Sequence, residues 1–152
     1  MNILIAAIGR AKPGPERDLY QSYASRISWR VDLKEIEIRK EAAVDVRRAL
    51  EGKALLEAVP QQAKIMVLDE RGKPETSARF AARLGAWRDE GTRDVACLIG
   101  GADGHDESVR AKANLILSFG ALTWPHMLVR VMLAEQLYRA HSILSGHPYH
   151  RG

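Results

Sequence analysis

Apolar positions along the chain fall into short runs of alternating period, and the runs predict elements in turn. Asn2 to Ile8 reads as a buried strand, ended by Gly9 and the turn-rich Lys12-Pro13-Gly14-Pro15. A helix is expected next, with Leu19, Tyr23 and Ile27 on one face at four-residue spacing. Val31 to Ile38 reads as a second strand whose apolar phase slips between Leu33 and Ile36, which predicts a bulge or an edge position. Ala42 to Val59 is helical in composition, with Leu55 and Val59 aligned and Gly52 weakening its middle. The run Ile65-Met66-Val67-Leu68 predicts a third strand, Lys64 to Asp69, buried on both faces, with a turn at Glu70 to Pro74 after it. Thr76 or Ser77 can cap the following helix, whose apolar stripe is Phe80, Leu84 and Trp87. Asp94 to Ile99 is a fourth strand, Asp106 to Ala113 a short helix, and Leu115 to Phe119 a fifth strand. The last helix starts near Pro125, a residue suited to a first turn, and runs to about Leu144 before Gly146.

Strands alternating with helices predict an α/β fold: a mainly parallel sheet with helices on both faces, residues 1–152 forming one domain. In such sheets ligands bind beyond the carboxyl ends of the strands. That points to three segments: after Leu68, Gly100 to Gly104, and Phe119 to Trp124. The chain has 152 residues, 46% of them hydrophobic and 28% charged, which suits a soluble globular protein. The apolar run at Asn2 is too short to span a membrane and lacks a signal-peptide layout, so a cytoplasmic protein with no membrane partner is expected. The single cysteine, Cys97, excludes an intramolecular disulfide and a multi-cysteine zinc site, and its apolar neighbours make it a core residue. A net charge of +4 suits a polyanionic partner.

Three segments carry candidate chemistry. Gly100-Gly101-Ala102-Asp103-Gly104 lets backbone approach a ligand but is neither a P-loop nor a dinucleotide fingerprint. The helix after Pro125 is apolar on nearly all sides, which predicts cover from the sheet and from a partner subunit. Within it Glu135 and Arg139 are four apart and can pair, whereas Arg130 has no partner at helical spacing and is a candidate for contacting substrate. The end of the chain, Gly146-His147-Pro148-Tyr149-His150-Arg151-Gly152, gathers groups able to stack on a base, move a proton and hold phosphate.

In Leu98-Ile99-Gly100-Gly101, Ala121-Leu122-Thr123 with Pro125-His126, Leu128-Val129-Arg130-Val131, Glu135-Gln136-Leu137-Tyr138-Arg139-Ala140 and Pro148-Tyr149-His150-Arg151, the sequence resembles the RlmH family of SPOUT methyltransferases. These are large-subunit ribosomal RNA pseudouridine-N3 methyltransferases. The resemblance implies a C-terminal trefoil knot, a homodimer that buries the last helix, and the assembled ribosome as the target. It implies S-adenosylmethionine, without a metal, in the knot against Leu68, Gly100 and the segment Phe119, Gly120, Ala121, Leu122, Thr123 and Trp124. Phe119-Gly120 replaces an expected Leu-Ser, so a hydroxyl contact to the cofactor is missing there while backbone contacts persist.

Methylating N3 requires loss of an imide proton. An imidazole ordinarily titrates in the useful range, so His150 is the first candidate base and Tyr149 the second. Arg130, Arg139 and Arg151 are candidates for stabilising the anion or gripping rRNA phosphates, and His126 for fixing the cofactor loop. The rivals are a knotted methyltransferase acting on another RNA base, a non-enzymatic ribosome-binding module, and a dinucleotide-dependent oxidoreductase, the last lacking its fingerprint.

Overall fold

The computed structural model describes residues 1–39 and 43–152. Five strands, β1 (Asn2–Ile8), β2 (Arg30–Ile36), β3 (Lys64–Pro74), β4 (Asp94–Ile99) and β5 (Leu115–Ser118), line up in the order β2-β1-β4-β3-β5. All their pairings are parallel, so every strand delivers its carboxyl end to the same edge. The helices are α1 (Pro15–Ala24), α2 (Val44–Ala58), α3 (Ser77–Asp89), α4 (Glu107–Lys112) and α5 (His126–Ser145).

Side chains alternate between the faces of a strand, and the two faces here carry separate cores. Ile3, Ile5, Met66, Cys97 and Ile99 meet Phe80, Leu84 and Trp87 of α3 and Val131, Leu133 and Leu137 of α5. On the other face Ala6, Ile8, Val67, Ala96 and Leu98 meet Leu55 of α2 and Val109 of α4. Each fully buried Leu or Ile contributes roughly 1.5–3 kcal/mol, so the central strands, buried on both sides, anchor the edge where their loops emerge. Cys97 is fully buried and its thiol is pushed up to about 12 by desolvation, so it is an inert core residue.

Thr76 caps α3 by accepting from the Arg79 N–H at 3.1 Å, and Asp106 does the same for α4 at Ser108. Pro125 is the N-cap of α5, and Gly146 ends that helix in a left-handed turn at φ 75°.

Some of these expectations need correction. In α1 the buried residue is Tyr20, whereas Leu19 is 47% exposed and Ile27 lies beyond the helix end. The helix stops at Ala24, and Ile27 reaches the core through a turn closed by its N–H on the Ala24 carbonyl, so four-residue spacing does not hold that far. For β2, of the two alternatives that its slipped phase offered, the edge position is the one observed, with an unbroken register against β1. Of the helix expected from Ala42 to Val59, Val44–Ala58 is helical and Ala42 lies outside the described residues.

One further correction matters most for function. The expected turn Glu70 to Pro74 is instead a continuation of β3. After a register shift between Leu68 and Lys73, the strand pairs with β5 a second time, Lys73 with Leu117 and Pro74 with Ser118. Gly72 allows this close pass: a Cβ there would stand 2.6 Å from the Ile116 carbonyl oxygen, which is backbone and cannot swing aside. Gly72→Ala is therefore expected to lower stability by about 1–3 kcal/mol in urea denaturation, as overpacking does. An unchanged midpoint would show that the two strands do not run this close.

Candidate active site

The second half of β3 and the loops after β4 and β5 enclose a cleft of about 800 Å³ at the carboxyl edge of the sheet. Leu68, Ile99, Leu117, Phe119 and Val129 give it apolar walls, and Gly100, Gly101, Gly104 and Gly120 expose backbone to it. Of the residues expected to hold a cofactor, Leu68, Gly100, Phe119, Gly120, Leu122, Thr123 and Trp124 line the cleft, and Ala121 does not. Volume and lining suit a molecule of drug size with a few polar groups read by backbone. Among the described residues no group of His, Cys, Asp and Glu side chains is arranged to hold a metal ion.

The walls are tied to one another by polar contacts. The Ser118 hydroxyl accepts from the Gly120 N–H at 3.0 Å and lies within donating distance of the Glu70 and Gly120 carbonyls at 3.1 and 2.9 Å. The Thr123 hydroxyl donates to the Glu70 carboxylate at 3.2 Å, and the Trp124 indole N–H to the Phe119 carbonyl at 3.4 Å. Gly120 sits at φ 111°, a backbone conformation that the serine expected by resemblance would strain to adopt.

Behind the cleft, His105 is almost wholly buried with Nε2 3.1 Å from the Leu68 carbonyl. A carbonyl only accepts, so Nε2 carries a proton. Burial pushes its pKa below the usual histidine value, with the Asp69 carboxylate and the Leu68 carbonyl opposing in part. Asp69 is itself bound by the Arg71 N–H at 2.9 Å and by Arg110 at 3.1 Å. Burial pushes the Asp69 carboxyl up, but these partners more than offset it and the net shift is downward.

Arg130 departs from its expected isolation. It is 2% exposed, and its guanidinium donates to Glu35 of β2 at 2.7 Å and to the Ile8 and Gly9 carbonyls at 3.1 and 2.7 Å. Its partners come from the ends of β1 and β2, so helical spacing could not reveal them. Burial pushes the Glu35 carboxyl up, yet hydrogen bonds from the Ala11 N–H and Arg130 bring it below the usual carboxylate range. His126 lines the cleft and stands against Gly9, whose added Cβ would lie 3.8 Å from Nε2. Among the described residues its ring makes no hydrogen bond to the Phe119–Trp124 segment.

Tyr149, His150, Arg139 and Glu135 form a separate cluster on the second half of α5. Arg139 pairs with Glu135, the Tyr149 hydroxyl donates to the same carboxylate at 3.1 Å, and Arg139 donates to His150 Nδ1 at 3.1 Å. The Arg139 guanidinium lies 4.8 Å from the Tyr149 ring centre, and the Tyr138 ring 4.5 Å from it. Burial, then hydrogen bonds to Tyr23 and Glu135, push the Tyr149 phenol up to about 12, so it stays protonated at neutral pH. Arg151 is exposed. From His126 at the cleft to Arg139, at about 1.5 Å per residue, is roughly 20 Å along the helix. One chain therefore does not bring its tail to its own cleft.

The sequence profile described as "Predicted SPOUT methyltransferase" matches residues 1–150. The chain belongs to the SPOUT methyltransferase family. This SPOUT chain is 56% identical over 151 residues to proteins named Ribosomal RNA large subunit methyltransferase H from Rhodospirillum centenum and Paramagnetospirillum magneticum, with 99% of each chain covered. A solved structure of a probable methylase family protein from Haemophilus influenzae Rd KW20 shares its fold, with TM-score 0.57 at 10% identity over 99% of this chain and 71% of that one.

Sequence reasoning missed two residues that brace the walls of the cleft, Ser118 and His105. A hydroxyl at a strand end, two residues before a glycine, was a readable signal for Ser118. His105 gave none, because its partner Leu68 is distant in sequence. His105 makes a testable contribution to stability. The unfolded chain takes up a proton near pH 6.5 while the folded ring resists it, so folding loses stability as pH falls below about 6.5. His126 and His141, also shifted downward by burial, act in the same direction. Urea midpoints between pH 5 and 7.5 should rise with pH, and His105→Gln should flatten that slope. An unaltered slope would mean that His105 is not held neutral.

Proposed function

We propose that this chain, as a single catalytic domain of residues 1–152, methylates N3 of a pseudouridine in 23S rRNA of the large subunit. In this reading it uses S-adenosylmethionine, acts as a homodimer on assembled ribosomes in the cytoplasm, and folds with a C-terminal trefoil knot. The observation that carries the reading is the cleft of about 800 Å³ between the extension of β3 and the loops after β4 and β5 of a SPOUT chain. Its relatives named Ribosomal RNA large subunit methyltransferase H add the substrate class. The contacts of Ser118 and Thr123 with Glu70 support a knot, since they bind the segment after β5 to the extension of β3.

When bound, the donor supplies an electrophilic methyl on a sulfonium. Leu68, Phe119, Leu122 and Trp124 would supply apolar cover, and the backbone at Gly100, Gly120, Leu122 and Thr123 would read polar edges. The acidic Glu70 on the rim suits a cationic ligand.

The homodimer is supported by exposed apolar side chains beside the cleft, Leu122 at 72%, Trp124 at 41% and Leu128 at 37%. It also solves the separation along α5, because the tail of a second protomer can complete the cleft. In that composite site His150 takes the N3 proton. A guanidinium only donates, so Arg139 now occupies His150 Nδ1 as an acceptor, and the tail must release that contact before this nitrogen can act as a base. Tyr149, protonated, is a donor to a base carbonyl. Arg139 and Arg151 hold the developing uridinate or a phosphate, and Arg130 contributes by fixing the start of α5 against β1 and β2.

Purified protein, S-adenosylmethionine and ribosomes, followed by nucleoside mass spectrometry, should yield N3-methylpseudouridine. Methylation of a different base would move the target, and no affinity for the donor in calorimetry would leave a ribosome-binding module. His150→Ala should cut turnover by about 100-fold or more while donor affinity stays the same. Unchanged methylation would remove His150 from the chemistry.

A further inference from the structure

We propose that Glu51, with Arg47 and Arg48, forms a latch on the back of the Gly100–Gly104 loop, and that Glu51 is the positioning residue that holds this loop for the methyl donor. This rests on the cleft being the donor site.

Asp103 and Gly101 of the loop are both held by a single stretch of α2. Arg47 pairs with the Asp103 carboxylate, and Arg48 Nε donates to the Asp103 carbonyl at 3.0 Å. Glu51 is 8% exposed and packs against Gly101, where an added Cβ would meet its two carboxylate oxygens at 3.0 and 3.4 Å and Ile8 Cγ2 at 3.2 Å. Residue 101 is thus pressed between the end of β1 and Glu51. One residue further, Gly52 brings α2 so close that a Cβ would lie 3.0 Å from Val109 and 3.1 Å from Asp106. This accounts for a glycine in mid-helix. The other side of the loop, Gly100 to Gly104, lines the cleft, while Arg47, Arg48 and Glu51 do not. Any effect they have on a ligand passes through the loop.

The carboxyl of Glu51 is badly placed for packing alone. Its Oε1 is buried and, among the described residues, has no hydrogen-bond partner, a costly state that a leucine would avoid. Burial pushes its pKa up, with Arg47 opposing, Asp103 adding to the rise and Arg48 opposing. An acceptor kept free against the backbone of Gly101 is suited to receive a loop N–H when the loop draws onto the donor.

The test separates packing from positioning. Glu51→Gln keeps the shape and an acceptor oxygen, whereas Glu51→Leu keeps bulk and removes the acceptor. Calorimetry with S-adenosylmethionine should give near wild-type affinity for Glu51→Gln and at least tenfold weaker binding for Glu51→Leu. Glu51→Leu should melt at or above the wild-type temperature, and its KM for ribosomes should not change. Arg47→Met, which loosens the same loop from the helix side, should weaken donor binding in the same direction. Donor affinity unaltered in Glu51→Leu, or lost only in step with thermal stability, would overturn the latch. Wild-type protein that binds no donor would instead sink the functional reading, and the latch with it.

Discussion

The site depends on the close pass of β3 along β5. A strand that turned away after Leu68 would forfeit its second pairing with β5 and leave the cleft without one wall. Because Gly72 has no side chain, the chain beyond Leu68 stays beside Ile116 and pairs with β5 again. Glu70 then reaches the segment after β5, where Ser118 and Thr123 hold it. Backbone approach, rather than side-chain recognition, thus sets the shape of the cleft, which explains why its lining is so rich in glycine.

The regular parts of this architecture were legible in the sequence. β1 and β4 are short, continuous apolar runs with the bounds the pattern gives, and Phe80, Leu84 and Trp87 pack as their spacing requires. The pattern failed where tertiary contact overrides local signals. Glu70 to Pro74 carries turn chemistry, with a glycine and a proline, yet its pairing with β5 makes it strand. In α1 the register of apolar residues was misassigned because the helix is short and Tyr20 outweighs Leu19 in packing.

The candidate site was legible in its loops and illegible in its supports. The three segments at the carboxyl edge follow from parallel topology alone. Arg130, His105 and Glu51 find their neighbours across the fold, at Glu35, Leu68 and Gly101. No periodicity within one helix encodes such pairs. Gly52 illustrates the same limit: read locally it weakens a helix, and in three dimensions it is what lets α2 approach α4.

The left-handed turn at Gly146 reverses the chain and lays Tyr149 and His150 back on α5. It also acts as the fixed end of a tether. Four residues of fully extended chain reach about 14 Å, so His150 cannot stray further than that from its pivot. In the proposed dimer, the cleft served by the imidazole would lie within this radius plus the reach of its side chain, so the end of one α5 would lie close beside the beginning of the other.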